Sequence, residues 1–438
     1  MEINLNNNLN AVLNNNETGS RQKAVLVCIQ FPEMNKGEAA THLEELKSLV
    51  ETMGAKTVYS LIVPLKKKSP KFYVGTGKAD EITDSAKRHS AEIIIFDNDL
   101  SPAQQRNFEE LSGKAVIDRH EVILDIFAGR ATTKEAVLQV GLARMEYSLP
   151  RLTRAWTHLS RQKGGSKGTR GEGETQLEVD RRLVMNKITR LKKELIKVRL
   201  HRKTLRKQRS AIKIPTGALV GYTNAGKSSL LNALTGSGVF VEDKLFATLD
   251  PTTRKVTLPG GHKILLTDTV GFIRKLPHDL VDAFRSTLEE TVLADFLIHV
   301  LDLSHPEVEE QYKITMEVLD ELGAGGKPMI LVFNKIDIMA ETAEILSIEL
   351  DTPEALYIST KSGEGVDRVF EKIEELLDKD KRTVSLLIPT DRYDLISMIH
   401  REGTVLEEDY KDTGSIIKAR VPVKVYNKLK EYITQVSE

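Results

Sequence analysis

Short apolar runs alternate with amphipathic stretches in the N-terminal part of the chain, residues 22–131. The runs AVLVCIQF, KTVYSLIV, EIIIFDN and AVIDR predict strands, and THLEELKSLVETMG, KADEITDSAKRHS and SPAQQRNFEELSG predict helices between them. Asn98 or Ser101 can cap the last of these helices, with Pro102 at its first position. Strands separated by helices imply a parallel sheet with crossover connections. We therefore predict a small α/β domain here, preceded by a disordered Asn-rich segment at 1–21.

The spacing changes to a helical repeat over residues 132–213. Apolar residues recur at helical spacing in two stretches, at Leu138, Leu142, Met145 and Leu149, and at Val184, Ile188, Leu191, Leu195, Val198 and Leu205. Pro150 kinks or restarts the first stretch, and between the two lies GGSKGTRGEGE (164–174), in which five of eleven residues are glycine. This pattern predicts an antiparallel helical hairpin whose Gly-rich tip carries Lys163, Lys167 and Arg170.

Strand and helix patterns alternate again over residues 214–380, after Ile214-Pro215 breaks the preceding helix. The runs ALVGY, KVTLP, HKILLTD, FLIHVLD, PMILVFN and ALYIS predict the strands of a doubly wound sheet. The remaining segment, 381–438, contains VSLLIP and VPVKVYNKLKEYI and predicts a small α+β module. The predicted fold class is α/β: a small parallel-sheet domain with a helical hairpin, a doubly wound domain, and a C-terminal α+β module.

Composition describes a globular chain of several domains, since 40% of the 438 residues are hydrophobic and 29% are charged. No run of about 18 uncharged apolar residues occurs, so we expect no membrane span. The single cysteine, Cys28, lies in an apparent buried strand and excludes a disulfide framework and a Cys-rich metal site. With no signal-peptide pattern at the N-terminus, these features predict a cytoplasmic protein. No long interface helix is left unexplained, so we expect a monomer.

The segment GYTNAGKSS (221–229) fits the phosphate-loop pattern G-x-x-x-x-G-K-[ST] between an apolar strand and a helical run, the context that the pattern requires. Backbone N–H groups from Asn224 to Ser228 can wrap a β-phosphate at the helix N-terminus. Lys227 can neutralise β- and γ-phosphate oxygens, and Ser228 offers a hydroxyl to Mg²⁺. The predicted nucleotide-binding residues of this loop are Gly221, Tyr222, Thr223, Asn224, Ala225, Gly226, Lys227, Ser228 and Ser229.

A second motif, DTVG, ends the strand ILLTD and comprises Asp268, Thr269, Val270 and Gly271. Asp268 is placed to hold Mg²⁺ through water, and the Gly271 N–H can sense the γ-phosphate. Between the two motifs, FATLDPTTR (246–254) is where an effector loop with a Mg²⁺-ligating threonine belongs. Thr248, Thr252 and Thr253 all qualify chemically, and we favour Thr248. The predicted catalytic residues are Lys227, Thr248 and Gly271, and the predicted Mg²⁺ ligands are Ser228, Thr248 and Asp268.

The sequence NKID follows the apolar strand MILVF and supplies the predicted base-binding residues Asn334, Lys335 and Asp337. The Asp337 carboxylate can accept two hydrogen bonds from guanine that adenine cannot donate, which favours guanine by roughly 10² to 10⁴. A further motif, STKSG, contributes Ser359, Thr360 and Lys361, with a backbone N–H near Thr360 for guanine O6. Four motifs in this order and spacing predict a P-loop GTPase that binds GTP and GDP with Mg²⁺.

Two residues bear on how hydrolysis would proceed. Phe272 follows DTVG, where many small GTPases place a water-orienting glutamine, so another residue, a water network or a partner must help. Asn224 could hold K⁺ beside the phosphates in place of an arginine finger, although ordinary loop hydrogen bonding also explains it. We therefore predict slow turnover that a partner accelerates.

The charge is unevenly distributed, although the whole chain has a formal net charge of +0. From Arg151 to Lys213 there are 20 Lys and Arg against 5 Asp and Glu, an excess of 15 positive charges. Such a run is often only a solvated helix face, but the size of the excess and the Gly-rich tip favour RNA binding through Lys163, Lys167 and Arg170. Trp156 could stack on a base, but core packing explains it better.

The chain also resembles the HflX family of ribosome-associated GTPases over about residues 22–380. The resemblance rests on YVGTGKADEI (73–82), FDNDLSPAQQRNFE (96–109), IDRHEVILDIFAGRA (117–131), TRGEGETQLEVDRR (169–182) and FATLDPTTR. It implies binding to the large ribosomal subunit and its rRNA near the peptidyl transferase centre, and a role in splitting or rescuing stalled ribosomes under stress. It also implies that ATP can be accepted, which NKID does not predict. Lys167 and Glu172 make the Gly-rich loop more charged than is usual in the family.

Two other classes of function fit the sequence. One is a GTPase of ribosome assembly or RNA modification, a class in which an asparagine in the phosphate loop also occurs. The other is a passive RNA-binding protein with a nucleotide-regulated clamp, against which the intact Lys227, Ser228 and Asp268 argue.

Overall fold

The computed structural model describes residues 21–152, 170–209, 214–236, 245–275, 288–339, 354–378, 381–411 and 414–437. These residues form three sheets, one in each of the predicted sheet-containing parts of the chain. The predicted disordered segment 1–21 lies outside the described residues except for Arg21. Within the described ranges, no helix has both the length and the apolar character needed to cross a bilayer.

The N-terminal domain is a four-stranded parallel sheet in the order β2-β1-β3-β4. Its elements are β1 (Lys23–Gln30), α1 (Lys36–Met53), β2 (Lys56–Pro64), α2 (Thr76–Arg88), β3 (Ile93–Phe96), α3 (Pro102–Ser112), β4 (Ala115–Asp118) and α4 (Arg119–Arg130). The predicted strands and the helices between them are all present. Helix α4 is the element that periodicity did not predict, because it follows β4 without a turn: Asp118 ends the strand and its carboxylate accepts the Glu121 N–H (3.1 Å).

Side-chain caps fix where the helices of this domain begin. Ser101 caps α3 in a reciprocal box with Gln104, and Pro102 occupies the first helical turn, as predicted. Asn98, the alternative cap, instead accepts the Ile29 N–H (3.0 Å) and so ties the end of β1 to the β3–α3 loop. A similar box between Asn35 and Glu38 starts α1 one turn earlier than the sequence pattern indicated.

The helical part consists of α5 (Lys134–Ser148), a 3₁₀ turn (Leu149–Arg151) and α6 (Arg170–Arg209). The predicted apolar stripes pack against each other through Leu138, Leu142, Val184, Ile188 and Leu195, with Met145, Leu149, Leu191 and Val198 beside them. Helix α6 begins at Arg170, so the end of the Gly-rich segment is helical and not a loop. Trp156, Lys163 and Lys167 lie outside the described residues, as does the side chain of Arg170.

The third part is a six-stranded sheet in the order β10-β9-β8-β5-β7-β6, parallel except for β6 at one edge. It contains β5 (Thr216–Val220), α7 (Lys227–Thr235), β6 (Thr252–Thr257), β7 (Lys263–Asp268), β8 (Phe296–Asp302), α8 (Val308–Glu321), β9 (Met329–Asn334), α9 (Ile336–Met339), β10 (Leu356–Tyr357) and α10 (Val366–Asp378). Strands β5, β7 and β9 end at one edge of the sheet, so the loops that follow them converge there.

The C-terminal module is a four-stranded antiparallel sheet in the order β12-β13-β11-β14. Its elements are β11 (Lys381–Ile388), α11 (Tyr393–Glu402), β12 (Thr404–Lys411), β13 (Gly414–Pro422), α12 (Val423–Leu429), a 3₁₀ turn (Lys430–Tyr432) and β14 (Ile433–Ser437). Buried residues such as Val384, Leu386 and Ile417 pack against Ile399 and Leu429 of the two helices. The predicted α+β character of this module is confirmed.

Candidate active site

The phosphate loop runs from the end of β5 into α7 and depends on two glycines. Gly221 (φ 140°) lies so close to the carbonyl of Val300 that a Cβ would collide with it. Gly226 (φ 96°) packs in the same way against the side-chain amide of Asn334. Any other residue at these positions would be strained in backbone and clash in side chain, so the loop closes tightly enough for its amides to surround a phosphate.

Lys227 lies at the centre of this loop and is almost completely buried. Its Nζ donates to the carbonyl oxygens of Gly221 (3.1 Å) and Tyr222 (2.7 Å). Burial lowers the pKa of Lys227 to about 8, and the nearby Asp268 carboxylate opposes this only partly. The ammonium is therefore held where a phosphate oxygen would restore the solvation that it has lost.

Ser228, Thr248 and Asp268 come together although they lie on three separate segments. Asp268 Oδ2 accepts from Ser228 Oγ (2.6 Å) and from Thr248 Oγ1 (2.9 Å), and the two hydroxyl oxygens are 2.9 Å apart. Thr253 instead bonds Thr267 Oγ1 (2.9 Å), and Thr252 belongs to strand β6. Of the three threonines that qualified chemically, the structure thus places Thr248 beside the other two predicted ligands.

This cluster fits a Mg²⁺ ion. Its atoms are hard oxygen donors, two hydroxyls and one carboxylate, of the kind that Mg²⁺ prefers. Among the described residues, no donor hydrogen-bonds to the buried Asp268 Oδ1, which leaves that oxygen for a metal-bound water. Burial raises the pKa of Asp268 despite the opposing effects of Lys227, Ser228 and Thr248, and a divalent cation would offset that cost.

The residues after Asp268 connect the second motif to the phosphate loop. Thr269 Oγ1 donates to the carbonyl of Leu219 (2.6 Å), and Val270 is buried. Gly271 packs so closely that a Cβ would lie 2.9 Å from Lys227 Nζ. A side chain at this position would meet the Thr223 backbone and the Lys227 ammonium, so only glycine fits here; the role of Gly271 in sensing the γ-phosphate stays a prediction.

Phe272 is part of the hydrophobic core. Its N–H donates to Gly221 O (3.1 Å), its carbonyl accepts from Thr223 N (2.8 Å), and its ring is buried in the core. The position where many GTPases carry a water-orienting glutamine therefore joins the two phosphate-binding segments and does not face the cleft.

Asn334 joins the phosphate loop to the STKSG segment. Its Nδ2 donates to Ala225 O (2.9 Å), and its Oδ1 accepts the Thr360 N–H (3.0 Å). The same Thr360 N–H was predicted to donate to guanine O6, but in this structure Asn334 Oδ1 already accepts it. The contact with O6 stays a prediction.

The other base-binding residues lie around Asp337. Its Oδ1 accepts from Ser359 Oγ (2.7 Å), and Lys361 Nζ is 4.0 Å from its Oδ2. Lys335, in a left-handed conformation (φ 68°), pairs with Asp302 at the end of β8 (2.7 Å). Ser359 and Lys361 thus hold the Asp337 carboxylate in place, and its specificity for guanine stays a prediction.

A cleft lies above the phosphate loop. Thr223, Asn224 and Ser229 line it on the loop side, and Phe246 and Ala247 next to Thr248 line the opposite side. Asn224 has a left-handed backbone (φ 61°) and reaches this cleft. Its role as a K⁺ ligand remains a prediction.

One contact that sequence reasoning missed joins the effector segment to the helical part. Asp250 accepts four hydrogen bonds, from the N–H and Oγ1 of Thr132 (3.1 and 2.6 Å) and of Thr133 (3.0 and 2.5 Å). Thr133 is also the N-cap of α5. Burial alone would raise the pKa of Asp250, but these hydrogen bonds lower it. Because Asp250 lies two residues after Thr248, these hydrogen bonds connect the predicted Mg²⁺ ligand Thr248 to the start of α5.

A second set of missed contacts joins the N-terminal domain to both phosphate-binding segments. Glu45 of α1 accepts from the Tyr222 hydroxyl (3.0 Å) and pairs with the fully buried Arg119. Asp97, at the end of β3, pairs with Arg119 (2.9 Å) and with Lys275 (2.7 Å). The charged ends of β3 and β4, in FDND and IDRH, were the available sequence signal, but the partners of Asp97 and Arg119 lie between 22 and 178 residues away along the chain.

Comparison with known sequences agrees with this geometry. Residues 216–335 match the sequence model of a family described as "50S ribosome-binding GTPase". Residues 40–128 match "GTP-binding GTPase N-terminal", and residues 130–209 match "GTP-binding GTPase Middle Region".

Relatives named "GTPase HflX" are similar over most of the chain. The Akkermansia muciniphila protein is 48% identical over 423 residues, which cover 94% of this chain and 97% of that protein. The Treponema denticola protein is 51% identical, covering 77% of this chain and 88% of its own length. The Escherichia coli K12 protein is 42% identical, covering 93% and 95%.

A solved structure of similar sequence is a GTP-binding protein from Sulfolobus solfataricus in complex with GDP. It is 28% identical, covers 81% of this chain and 98% of that chain, and superposes with a TM-score of 0.42.

Proposed function

Because this chain belongs to the HflX family of GTPases, we propose that it is a GTP-driven switch that binds the large ribosomal subunit and acts in splitting or rescuing stalled ribosomes under stress. The GTPase activity itself follows from family membership and from the P-loop domain. The family description "50S ribosome-binding GTPase" for residues 216–335 supports the large subunit as the partner. The cytoplasm, where ribosomes are, is the expected compartment.

The single observation that carries the proposal is the connection between Thr248 and α5. A switch needs a contact that depends on the γ-phosphate and a path from that contact to the surface that binds the partner. Thr248 belongs to the predicted Mg²⁺ site, and two residues later Asp250 holds Thr132 and Thr133 at the start of α5. The helical part carries the basic segment that we expect to contact rRNA.

Each group of residues in the site has a separate role in hydrolysis. Lys227 and the amides of the phosphate loop would bind the β- and γ-phosphates, and Asp337 would hold the guanine edge. Ser228, Thr248 and Asp268 would hold Mg²⁺, which neutralises developing charge on the phosphate oxygens when bound. Gly271 and Thr248 would both lose a contact when the γ-phosphate leaves. Because Phe272 faces the core, intrinsic turnover is expected to be slow.

The first test measures GTP hydrolysis with and without purified large ribosomal subunits, in K⁺ and in Na⁺ buffer, with ATP as the competing substrate. We expect strong stimulation by the subunits. A K⁺ requirement would favour a cation held by Asn224. Absence of stimulation in both buffers would rule out a ribosome-triggered switch. Stimulation by precursor particles alone would favour a role in ribosome assembly instead.

A substitution at Asp250 tests the contact between the switch segment and α5. Asp250→Asn is expected to keep intrinsic GTP hydrolysis within about threefold and to lose most of the stimulation by large subunits, because the switch segment no longer holds α5. Asp295→Asn is the matched control, since Asp295 makes a similar pair of hydrogen bonds to Thr216 (2.7 and 3.0 Å) within the nucleotide domain. Equal stimulation of wild type and Asp250→Asn would show that this connection does not transmit the signal.

A further inference from the structure

Arg274 carries a buried guanidinium group that is poorly paired within the described part of the chain. It lies three residues after Gly271, and its side chain is 12% exposed. Among the described residues, none of its guanidinium nitrogens Nε, Nη1 and Nη2 makes a hydrogen bond. Its nearest acid is Glu45, whose Oε2 is 3.6 Å from Nη2. Buried guanidinium groups are normally paired through several hydrogen bonds, so this arrangement calls for an explanation.

Competition for Glu45 explains why the pairing is poor. Oε1 of Glu45 is taken by Arg119, and Oε2 accepts the hydroxyl of Tyr222 (3.0 Å). Arg119 has a second carboxylate in Asp97 (2.9 Å), whereas among the described residues Arg274 has the loose contact with Glu45 and only the longer-range attraction of Glu307 and Glu310. The carboxylate thus retains Arg274 by charge without satisfying its donors, and an anion with free oxygens would be a better partner.

Backbone hydrogen bonds keep Arg274 near the phosphate loop. Its N–H donates to the Tyr222 hydroxyl (2.7 Å), and its carbonyl accepts from Arg119 (3.1 Å). Gly271 lies beside Lys227, since a Cβ added there would be 2.9 Å from Nζ. Three residues span at most about 11 Å, so a local rearrangement can bring the Arg274 side chain to the γ-phosphate. Lys275, next in sequence, has a left-handed backbone (φ 54°) and is tethered to Asp97 (2.7 Å), which marks strain in this segment.

The reaction lacks the group that Arg274 could supply. Phe272 is buried, so the glutamine found in many GTPases has no equivalent at that position. Charge on the phosphate oxygens grows as the γ-phosphoryl group transfers, and a guanidinium supplied within the same chain is one known way to stabilise it.

We propose that Arg274 is an arginine finger supplied in cis, stored in this structure against Glu45 and released to the γ-phosphate for hydrolysis. In that step the water oxygen bonds to the γ-phosphorus while the bond from that phosphorus to the β–γ bridging oxygen breaks. The electron pair stays with GDP, and the water's proton passes to phosphate. Arg274 donates hydrogen bonds to the phosphate oxygens and exchanges no atom. The proposal concerns GTP hydrolysis itself and does not depend on the ribosome.

The test compares full-length variants without ribosomes. Arg274→Ala is expected to lower kcat for GTP at least tenfold, to keep the Kd of a fluorescent GTP analogue within about threefold, and to weaken binding of GDP with aluminium fluoride, a mimic of the transition state, at least tenfold. Arg368→Ala removes an exposed arginine from α10 of the same domain and should leave all three values within about twofold.

The release of Arg274 is tested by weakening its retention. Glu45→Gln is expected to raise kcat several-fold, and the double variant Glu45→Gln/Arg274→Ala should be no faster than Arg274→Ala alone. Wild-type kcat and wild-type binding of GDP with aluminium fluoride in Arg274→Ala would overturn the proposal even if Glu45→Gln fails to fold. Faster hydrolysis in Glu45→Gln that persists in the double variant would overturn it as well.

Discussion

At the scale of single residues, burial decides how Lys227 responds to pH. Its pKa of about 8 lies within the range where binding can be measured. One unit above that pKa about nine-tenths of the unbound lysine is neutral, so GTP affinity should fall roughly tenfold between pH 7 and pH 9. Because the folded-state pKa lies below the unfolded value of 10.5, the cost of the buried charge lowers the unfolding free energy below pH 8 and disappears as the pH rises towards 10.5.

Titration of a fluorescent GTP analogue across this pH range measures the effect. Lys227→Met is the control, because it binds weakly and its remaining pH dependence reports the ionisation of guanine. A wild-type profile parallel to that of Lys227→Met would show that the lysine stays charged throughout.

Sequence motifs placed the phosphate loop, DTVG and NKID correctly on their strands, because these contacts involve residues close in sequence or at the ends of adjacent strands. They favoured Thr248 over Thr252 and Thr253, but the motifs alone do not determine where β6 begins, and the position of each threonine depends on that. Nor could they find Glu45 or Arg274, whose roles arise from charges brought together by packing of two domains.

At the scale of helices and strands, side-chain caps determine boundaries that periodicity leaves uncertain. Asn35 and Glu38 add a turn to α1, and Asp118 serves both as the end of β4 and as the cap of α4. A polar residue of this kind interrupts no apolar pattern, so the pattern alone cannot show that a helix begins there. The predicted strand at 355–359 shortened to Leu356–Tyr357, as expected for an edge strand paired on one side.

The cap of α3 gives a stability prediction. Ser101→Ala removes the acceptor of the Gln104 N–H (3.3 Å) and should lower the unfolding free energy by about 1 kcal/mol. Chemical denaturation followed by circular dichroism measures this change. Ser48→Ala, on the exposed face of α1, should be close to neutral, and equal losses in the two variants would contradict a capping role for Ser101.

At the scale of the whole molecule, the charge distribution predicts salt-dependent binding. If the basic helical part contacts rRNA phosphates, affinity for large subunits should fall steeply with KCl concentration. The triple variant Lys163→Ala/Lys167→Ala/Arg170→Ala should reduce the slope of log K against log salt by about three, one for each lost phosphate contact. Co-sedimentation at several KCl concentrations provides the slopes.

The control for this measurement removes three cations from the C-terminal module, Lys418, Lys428 and Lys430. It should leave the slope unchanged, because we expect no rRNA contact there. The same reduction in both triple variants would mean that net charge, and not the helical part, governs binding.

Changes in the spacing of apolar residues predicted how the chain divides into domains. They did not predict how the domains pack against one another. This packing depends on Asp250 and Asp97, which lie close to the ends of strands, and on Glu45, which lies in the middle of α1; in the sequence each looks like an ordinary polar residue. Their partners lie between 22 and 229 residues away.

The length of α6 has a mechanical consequence. Its 40 residues extend for about 60 Å, since each residue of an α-helix rises by about 1.5 Å. It packs along α5, whose first turn is fastened to the switch segment at Asp250. A tilt of about 5° in this pair would move the far end of such a helix by roughly 5 Å. The two helices would thus act as a lever arm. A small tilt at the switch segment would displace the far end of α6 by about the rise of one helical turn.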